Sequence, residues 1–538
     1  MKINTMKPIL IILLFVAQLA NAQSYKKWMK DINKSVSYLA SDQLEGRRAG
    51  TKGEALAADF ISNRFKHNGL LTFDGLDNYI QPFEINDGLK IEDESYLTIN
   101  NQTLKLYEDY IPLPFSKVGE DKIGYNSIVF YNTNDLVVEN EGNPHFDLQE
   151  SLYQKIKVIH IANPQSVLLL YNTKEVAFAE KFDEKSKKDQ LSSFVFYCSN
   201  NAIEKIKKNN ETLLSFNVRI VLSKRTGHNI VGHINNNAEK TIIIGAHYDH
   251  LGYGEDHNSL YVGKEKQIHN GADDNASGTA ALLLLSKILN QKKYNKYNYV
   301  FIAFSGEELG LYGSKYFVEH SPIDLKKINF MINMDMIGRL NDSTHGLTIG
   351  GYGTSPEWGK IISVNNDYFK IKVDSAGSGP SDHTSFYRKD IPVLFFFTGT
   401  HSDYHKPTDD ANKINYAGEA KIVDYMLSII TASYQYNSIS FSKTRESAAT
   451  GKSSFKVTMG IMPDYTFSGN GVLVDGVSDN RPAQKAGVKT GDIIQELGGF
   501  VIEDVQTYMQ ALNKFNKGDE VEVKIKRGNE SVTVKVVF

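Results

Sequence analysis

One cysteine, Cys198, stands among 538 residues. That excludes a disulfide framework and every multi-cysteine zinc site, so any metal must be held by His, Asp and Glu. Charge of one sign is also lacking. Sixty basic against 63 acidic residues give a net charge of −3, which leaves no field to hold nucleic acid or an anionic membrane surface. Long hydrophobic runs are nearly absent. The exception, Pro8–Ala17, is shorter than the ~20 residues needed to span a bilayer. Lys2 and Lys7 precede it and Ala20-Asn-Ala22 follows, the pattern of a secretory signal peptide over residues 1–22. No cysteine follows the run, so a lipid anchor there is not expected. The reading is therefore an exported protein, periplasmic or secreted. A single thiol suits an oxidising compartment.

What is present is an ordinary globular composition, 41% hydrophobic with 29 Tyr and 28 Phe, which excludes a disordered or collagen-like chain. The length corresponds to roughly three to four domains. Residues 25–75 carry helical spacing, broken by the loop Gly46–Gly50. From 94 to 224 short apolar runs such as Ser127–Tyr131 and Ser166–Tyr171 alternate with polar connectors, a β-rich insert without a catalytic-looking cluster. From Thr241 onward an α/β rhythm begins. Apolar strands are expected at Thr241–Gly245, Tyr299–Phe304, Ile328–Asn333 and Ile391–Phe397, with helices at Ala276–Leu289, Leu309–Val318 and 416–435. Strands alternating with helices predict an α/β fold with a doubly wound, mostly parallel sheet. A linker over 438–454 leads to a compact last segment, 455–538. No internal repeat is found.

Ligands of open α/β sheets sit beyond the carboxyl ends of the strands, and acids and histidines collect there in this chain. One strand runs into His247-Tyr-Asp249-His250, the next into Glu307-Glu308, the next into Asp335, and the last into His401-Ser-Asp-Tyr404-His405. Asn270–Gly278, with Asp273 and Asp274, opens a helix between the first two strands. Taken singly these are ordinary features: helix caps, first-turn acids, surface turns. Together on one sheet edge they would repel without a cation. Two histidines and three carboxylates could fill the inner shells of two cations if one carboxylate bridges, which is a hydrolytic arrangement. Ligands of this type suit Zn²⁺ best, with Co²⁺ or Mn²⁺ able to substitute. One of Glu307 and Glu308 can bind metal while its neighbour takes a proton from water.

The motifs Gly-Ala-His247-Tyr-Asp249-His, Asn-Gly-Ala-Asp273-Asp-Asn-Ala-Ser-Gly, Phe-Ser-Gly-Glu307-Glu308-Leu-Gly, Asn-Met-Asp335-Met-Ile-Gly and Tyr404-His405-Lys-Pro-Thr-Asp409 resemble, in order, those of the double-zinc aminopeptidases. This is metallopeptidase family 28, which includes leucine aminopeptidases and glutamate carboxypeptidase. Leu39–Thr51 resembles the family's N-terminal part, so the peptidase domain is expected over 25–93 and 225–437. The resemblance implies a phosphorylase/hydrolase-like exopeptidase core and two zinc ions. Asp273 would bridge them, His247 and Asp335 would complete one, and Glu308 and His405 the other. It further implies that Glu307 is the general base, that Asp249 orients His247, and that Tyr404 donates to the oxyanion. Residues 94–224 stand where such proteins carry a protease-associated insert. The tail, 455–538, resembles a PDZ domain, with Gly460-Ile-Met-Pro463 at the carboxylate-binding loop in place of the usual Gly-Leu-Gly-Phe.

The expected function is thus an exported aminopeptidase acting on peptides or proteins, with neither nucleic-acid nor membrane partners after signal cleavage. Two other classes are a single-zinc glutaminyl cyclase on the same fold and a non-catalytic peptide-binding scaffold. Specificity is expected from loops 341–355 and 376–388. In the second, Ser381-Asp-His383 suggests a structural hydrogen-bonding histidine.

Overall fold

The computed structural model describes residues 6–134, 148–162, 166–172, 181–182, 189–208, 211–256, 258–261, 263, 265–364, 366–444, 457–463, 469–477, 481–503, 505–512 and 514–538. The expected leader lies outside them at residues 1–5 and then forms the start of a helix, Met6–Leu39. Most of the expected linker, 445–454, also lies outside. No described helix is long and apolar enough to cross a membrane. By internal contacts the chain forms two units, Met1–Ile85 with Thr226–Phe538, and Asn86–Arg225.

The sheet of the first unit is built from β1 (Ile80–Ile91), β2 (Ile220–Ile234), β3 (Thr241–His247), β4 (Asn298–Phe304), β5 (Ile328–Met334), β6 (Gly346–Gly350), β7 (Lys370–Val373) and β8 (Val393–Phe397). Their order is β7-β6-β8-β5-β3-β4-β2-β1. The four central strands β8, β5, β3 and β4 are parallel. The sheet is nonetheless mixed, because β2 runs antiparallel to β4 and β6 antiparallel to β8. β6 and β7 fall at or beside the segments expected as loops, and they are too short and polar to stand out in the sequence.

The central strands are buried on both faces, which is why they read as continuous apolar runs rather than alternating ones. Ile242, Ile244, Phe301, Phe330, Ile332 and Phe396 pack on one face with the helices Met6–Leu39, Lys52–His67, Gly278–Leu289 and Tyr416–Ala432. Ile243, Val300, Ile302, Met331 and Val393 pack on the other with Tyr312–Glu319 and His383–Tyr387. Neighbouring residues of one strand thus serve opposite layers, as a two-residue period requires.

The C-terminal segment has its own six-stranded sheet and core, including Val472, Val474, Ile494, Leu497, Val523 and Ile525. In Glu520–Arg527 the buried Val521, Val523 and Ile525 alternate with Glu and Lys facing water. Arg527 forks onto both oxygens of Asp492 at 2.7 Å. The second unit holds two four-stranded sheets and the helices Leu148–Ala162 and Asn200–Lys207. It begins eight residues before the insert expected from sequence.

Candidate metal centre

The chain leaves β3 toward β4 on one side and later leaves β5 toward β8 on the other. The carboxyl ends of β3 and β5 therefore flank the topological switch point, where the sheet opens a crevice. His247 ends β3, Asp335 follows β5, Glu307 and Glu308 follow β4, and His405 lies in the segment after β8. The fold brings them together: His247 Nε2 is 3.4 Å from Asp335 Oδ1 and 4.0 Å from Glu307 Oε2, and His405 Nε2 is 3.2 Å from Glu308 Oε2.

Hydrogen bonding fixes which ring nitrogen carries the proton. His247 Nδ1 faces the carbonyl oxygen of Asp249 at 3.3 Å, and His405 Nδ1 that of Asn258 at 2.8 Å. A carbonyl only accepts, so both Nδ1 atoms donate and, in the neutral rings, both Nε2 atoms present lone pairs. Those lone pairs point at carboxylate oxygens. Lone pair against lone pair at 3.2–3.4 Å is repulsive unless a cation lies between, whether a proton or a metal ion. The acids accordingly hold both rings toward the charged form. Against the opposing effect of burial, Glu307 and Asp335 raise His247 well above its ordinary value, and Glu308 and Asp274 push His405 up to about 11.

Asp273 does not occupy the place expected of it between the two histidines. Its Oδ1 accepts from the Gly338 amide at 2.7 Å and the Ser277 hydroxyl at 3.0 Å, and its Oδ2 faces His401 Nε2 at 3.2 Å. His401 Nδ1 accepts from the Asp403 amide at 3.3 Å, so Nε2 carries the ring proton and donates it. Three donors thus meet the Asp273 carboxylate. Its neighbour Asp274 stands at the centre instead: Oδ1 is 3.4 Å from His247 Nε2 and Oδ2 is 3.4 Å from His405 Nε2.

Glu307 and Glu308 face different ways. Glu308 turns toward His405. Burial works against its charge, but His405 and His250 prevail and hold its carboxyl well below the usual range. Glu307 is pushed well above it, by burial first and then by Glu308 and Asp335, against the pull of His247. The Glu307 amide donates to Asp249 Oδ1 at 3.2 Å, and that oxygen is 3.7 Å from His247 Nδ1. Asp249 therefore touches both the His247 ring and the turn bearing Glu307. The Tyr404 ring stacks on His405 at 3.9 Å, and burial beside the acids keeps its hydroxyl protonated. A cavity of about 110 Å³ opens onto these groups, walled by Met336, Pro380, Phe395, Phe397 and Thr400.

Residues 229–430 match the family described as Peptidase family M28, and residues 439–537 match the PDZ domain. Residues 229–430 are an M28 peptidase domain. The chain is 32% identical over 155 residues to aminopeptidase YwaD of Bacillus subtilis, covering 27% of this chain and 34% of that protein. It is 25% identical over 228 residues to the glutaminyl-peptide cyclotransferase of Drosophila melanogaster, covering 35% and 60%. The structure of BSAP, a zinc aminopeptidase from Bacillus subtilis, aligns with a TM-score of 0.42 at 20% identity over 78% of this chain and 96% of that one. The chain thus spans between a third and two thirds of these two curated relatives' lengths.

The M28 domain draws on further residues that the sequence reading left without a role. Arg47 is fully buried. It donates to the carbonyl oxygens of Tyr248 at 2.7 Å, Asn270 at 2.7 Å and Gly271 at 3.0 Å, and to that of Leu39. It ties the loop after β3 to the loop carrying Asp274. Burial pushes its guanidinium down to about 10, with Asp249 and Asp274 opposing, so it stays charged at neutral pH. Asp409 Oδ2 accepts the amides of Asp273 at 2.9 Å and Asp274 at 3.1 Å, and burial next to Asp273 pushes its carboxyl up to about 6. His250 Nδ1 lies 2.7 Å from Glu308 Oε1. A lone Arg or a second His in a loop reads as surface, so only the fold reveals these. His383 of the M28 domain stacks on Phe395 at 4.4 Å and 10°. Its Nδ1 has no hydrogen-bond partner among the described residues, so the role shown is packing.

Proposed function

We propose that the M28 domain is a two-zinc exopeptidase that removes the N-terminal residue of peptides. One observation carries this: the two oxygens of Asp274 each face the Nε2 of a different imidazole at 3.4 Å, as a bridging carboxylate must. His247, Asp335 and Asp274 would hold one zinc, and His405, Glu308 and Asp274 the other. What the zinc ions supply when bound is Lewis acidity toward a peptide carbonyl and toward water.

The chain's own residues do the rest. Glu307, with its raised proton affinity, takes the proton of the attacking water and hands it to the leaving amine. The Tyr404 hydroxyl donates to the developing oxyanion. Asp249 keeps His247 in the tautomer that turns Nε2 inward. The apolar cavity walls would receive the N-terminal side chain. We further propose export by the leader, a protease-associated role for the Asn86–Arg225 unit, and capture of peptide C-termini at the PDZ domain.

A relative that is a cyclotransferase makes a one-zinc cyclase the competing reading. Metal analysis of the purified chain decides: two zinc ions per chain are expected, one would favour the cyclase, and none would leave a scaffold. A panel of free, N-blocked and C-blocked peptides then tests polarity. Release of the first residue from free and C-blocked peptides alone is the expected result. Ring closure of N-terminal glutamine with loss of ammonia would overturn the hydrolase.

A further inference from the structure

His250 follows three residues after His247 and has no place in the ligand set proposed above. Its ring is buried, and it seats flat where no side chain competes: a Cβ on Gly271 (φ +54°) would lie 2.5 Å from His250 Cγ and Cδ2. His250 Nδ1 is 2.7 Å from Glu308 Oε1 and 4.0 Å from Asp274 Oδ2. Its Nε2 is buried with no hydrogen-bond partner among the described residues.

Two roles are open to such a ring. As a metal ligand, Nδ1 would present its lone pair and the proton would sit on Nε2, an N–H buried without an acceptor. That arrangement costs the full desolvation of a donor. As a donor, Nδ1–H is satisfied by a carboxylate at a charge-assisted distance, and only an imine lone pair is left over. The second arrangement is the cheaper one. It also explains the asymmetry of Glu308: Oε1 is engaged by His250, whereas Oε2 faces His405 Nε2 at 3.2 Å, the nitrogen that a cation would take.

We infer that His250 is a positioning residue that binds Glu308 Oε1 and so presents Glu308 to its cation through Oε2 alone. The inference rests on the two-zinc reading. One-oxygen ligation leaves a coordination position on the His405 side for water or the substrate amine, which a chelating carboxylate would fill. The His247 side shares no atom with this hydrogen bond, so the effect is confined to one of the two cations.

The test is a zinc titration of the metal-free full-length chain against a chromophoric chelator, for wild type, His250→Ala and His250→Asn. The Asn side-chain N–H falls where Nδ1–H stands. Wild type should show two tight steps; a single step would overturn the two-zinc reading itself and this inference with it. His250→Ala should weaken one step by about 10- to 100-fold, the range for lost outer-shell partners, and leave the other unchanged. His250→Asn should restore most of the loss. Two unchanged steps in His250→Ala would overturn the inference while leaving the two-zinc reading standing. Equal weakening of both steps, with a lower melting temperature of the metal-free chain, would assign His250 a merely structural role and overturn it as well.

Discussion

Asp273 and Asp274 are adjacent in sequence and face opposite ways: Asp273 Oδ1 is bound by the Gly338 amide at 2.7 Å, while Asp274 Oδ1 looks at His247 Nε2 from 3.4 Å. One carboxylate is filled with donors and the other with lone pairs. On the proposed assignment Asp274→Ala should lose both zinc ions, since each would share that residue. Asp273→Asn should keep them and instead lose about 1–3 kcal/mol of stability, because an amide cannot accept from every donor that the carboxylate satisfies. Metal content and denaturant unfolding, measured on both variants, separate the two; metal retention in Asp274→Ala would return the bridging role to Asp273.

Glu307→Gln removes a proton carrier and, on the proposed assignment, no ligand. Turnover is expected to fall by about 10²- to 10⁴-fold with zinc content unchanged. A variant that keeps wild-type kcat would exclude Glu307 as the base.

Arg47 touches four backbone carbonyls in a fully buried position. Arg47→Met leaves those acceptors unpaired and strips a cation from beside Asp249 and Asp274. The expected cost is roughly 3–5 kcal/mol, read as a shift in the unfolding midpoint of the metal-free chain. Arg47→Lys should recover only part, because an ammonium cannot fork across two loops. A loss below 1 kcal/mol in the Met variant would show the contacts to be incidental.

Burial pushes the His383 imidazole down to about 3. The folded state therefore declines a proton that the unfolded chain accepts near 6.5. Between these values the unfolded state binds more protons, so stability is full above about 6.5 and falls as the pH drops toward 3. Because the ring stacks on Phe395, His383→Phe should keep the packing and flatten that part of the acid limb. Denaturant unfolding at pH 7 and pH 5 checks it: an unchanged pH slope would place the acid sensitivity elsewhere.

Cys198 lies in the core of the Asn86–Arg225 unit, and burial pushes its thiol up, well away from the reactive thiolate. Thiol reagents should leave the native chain unlabelled at neutral pH and label it once per chain on unfolding. Labelling of the native chain at the rate of a free thiol would contradict the packing.

The central strands were legible because burial on both faces leaves an unbroken apolar run, as in Thr241–His247 and Ile328–Met334. The strands Gly346–Gly350 and Lys370–Val373 at one end of the sheet were not, since such short segments take their structure from the partners they pair with. Asp249, Glu307, Glu308, Asp335, Tyr404 and His405 likewise stand close together beyond strand ends, where the sequence gathers acids and imidazoles. Arg47 and His250 escaped, because nothing local marks a charged loop residue as buried.

The sequence alone determined the kinds of donor and the strand ends that carry them: residue type and hydrophobic period are local properties of the chain. Only the tertiary structure places Asp274, and not Asp273, between His247 and His405. That placement depends on which donors surround each carboxylate and which nitrogen of each histidine keeps its proton. Those partners, Gly338, His401, Asn258 and the Asp249 carbonyl, arrive from distant segments only when the sheet has closed around the site.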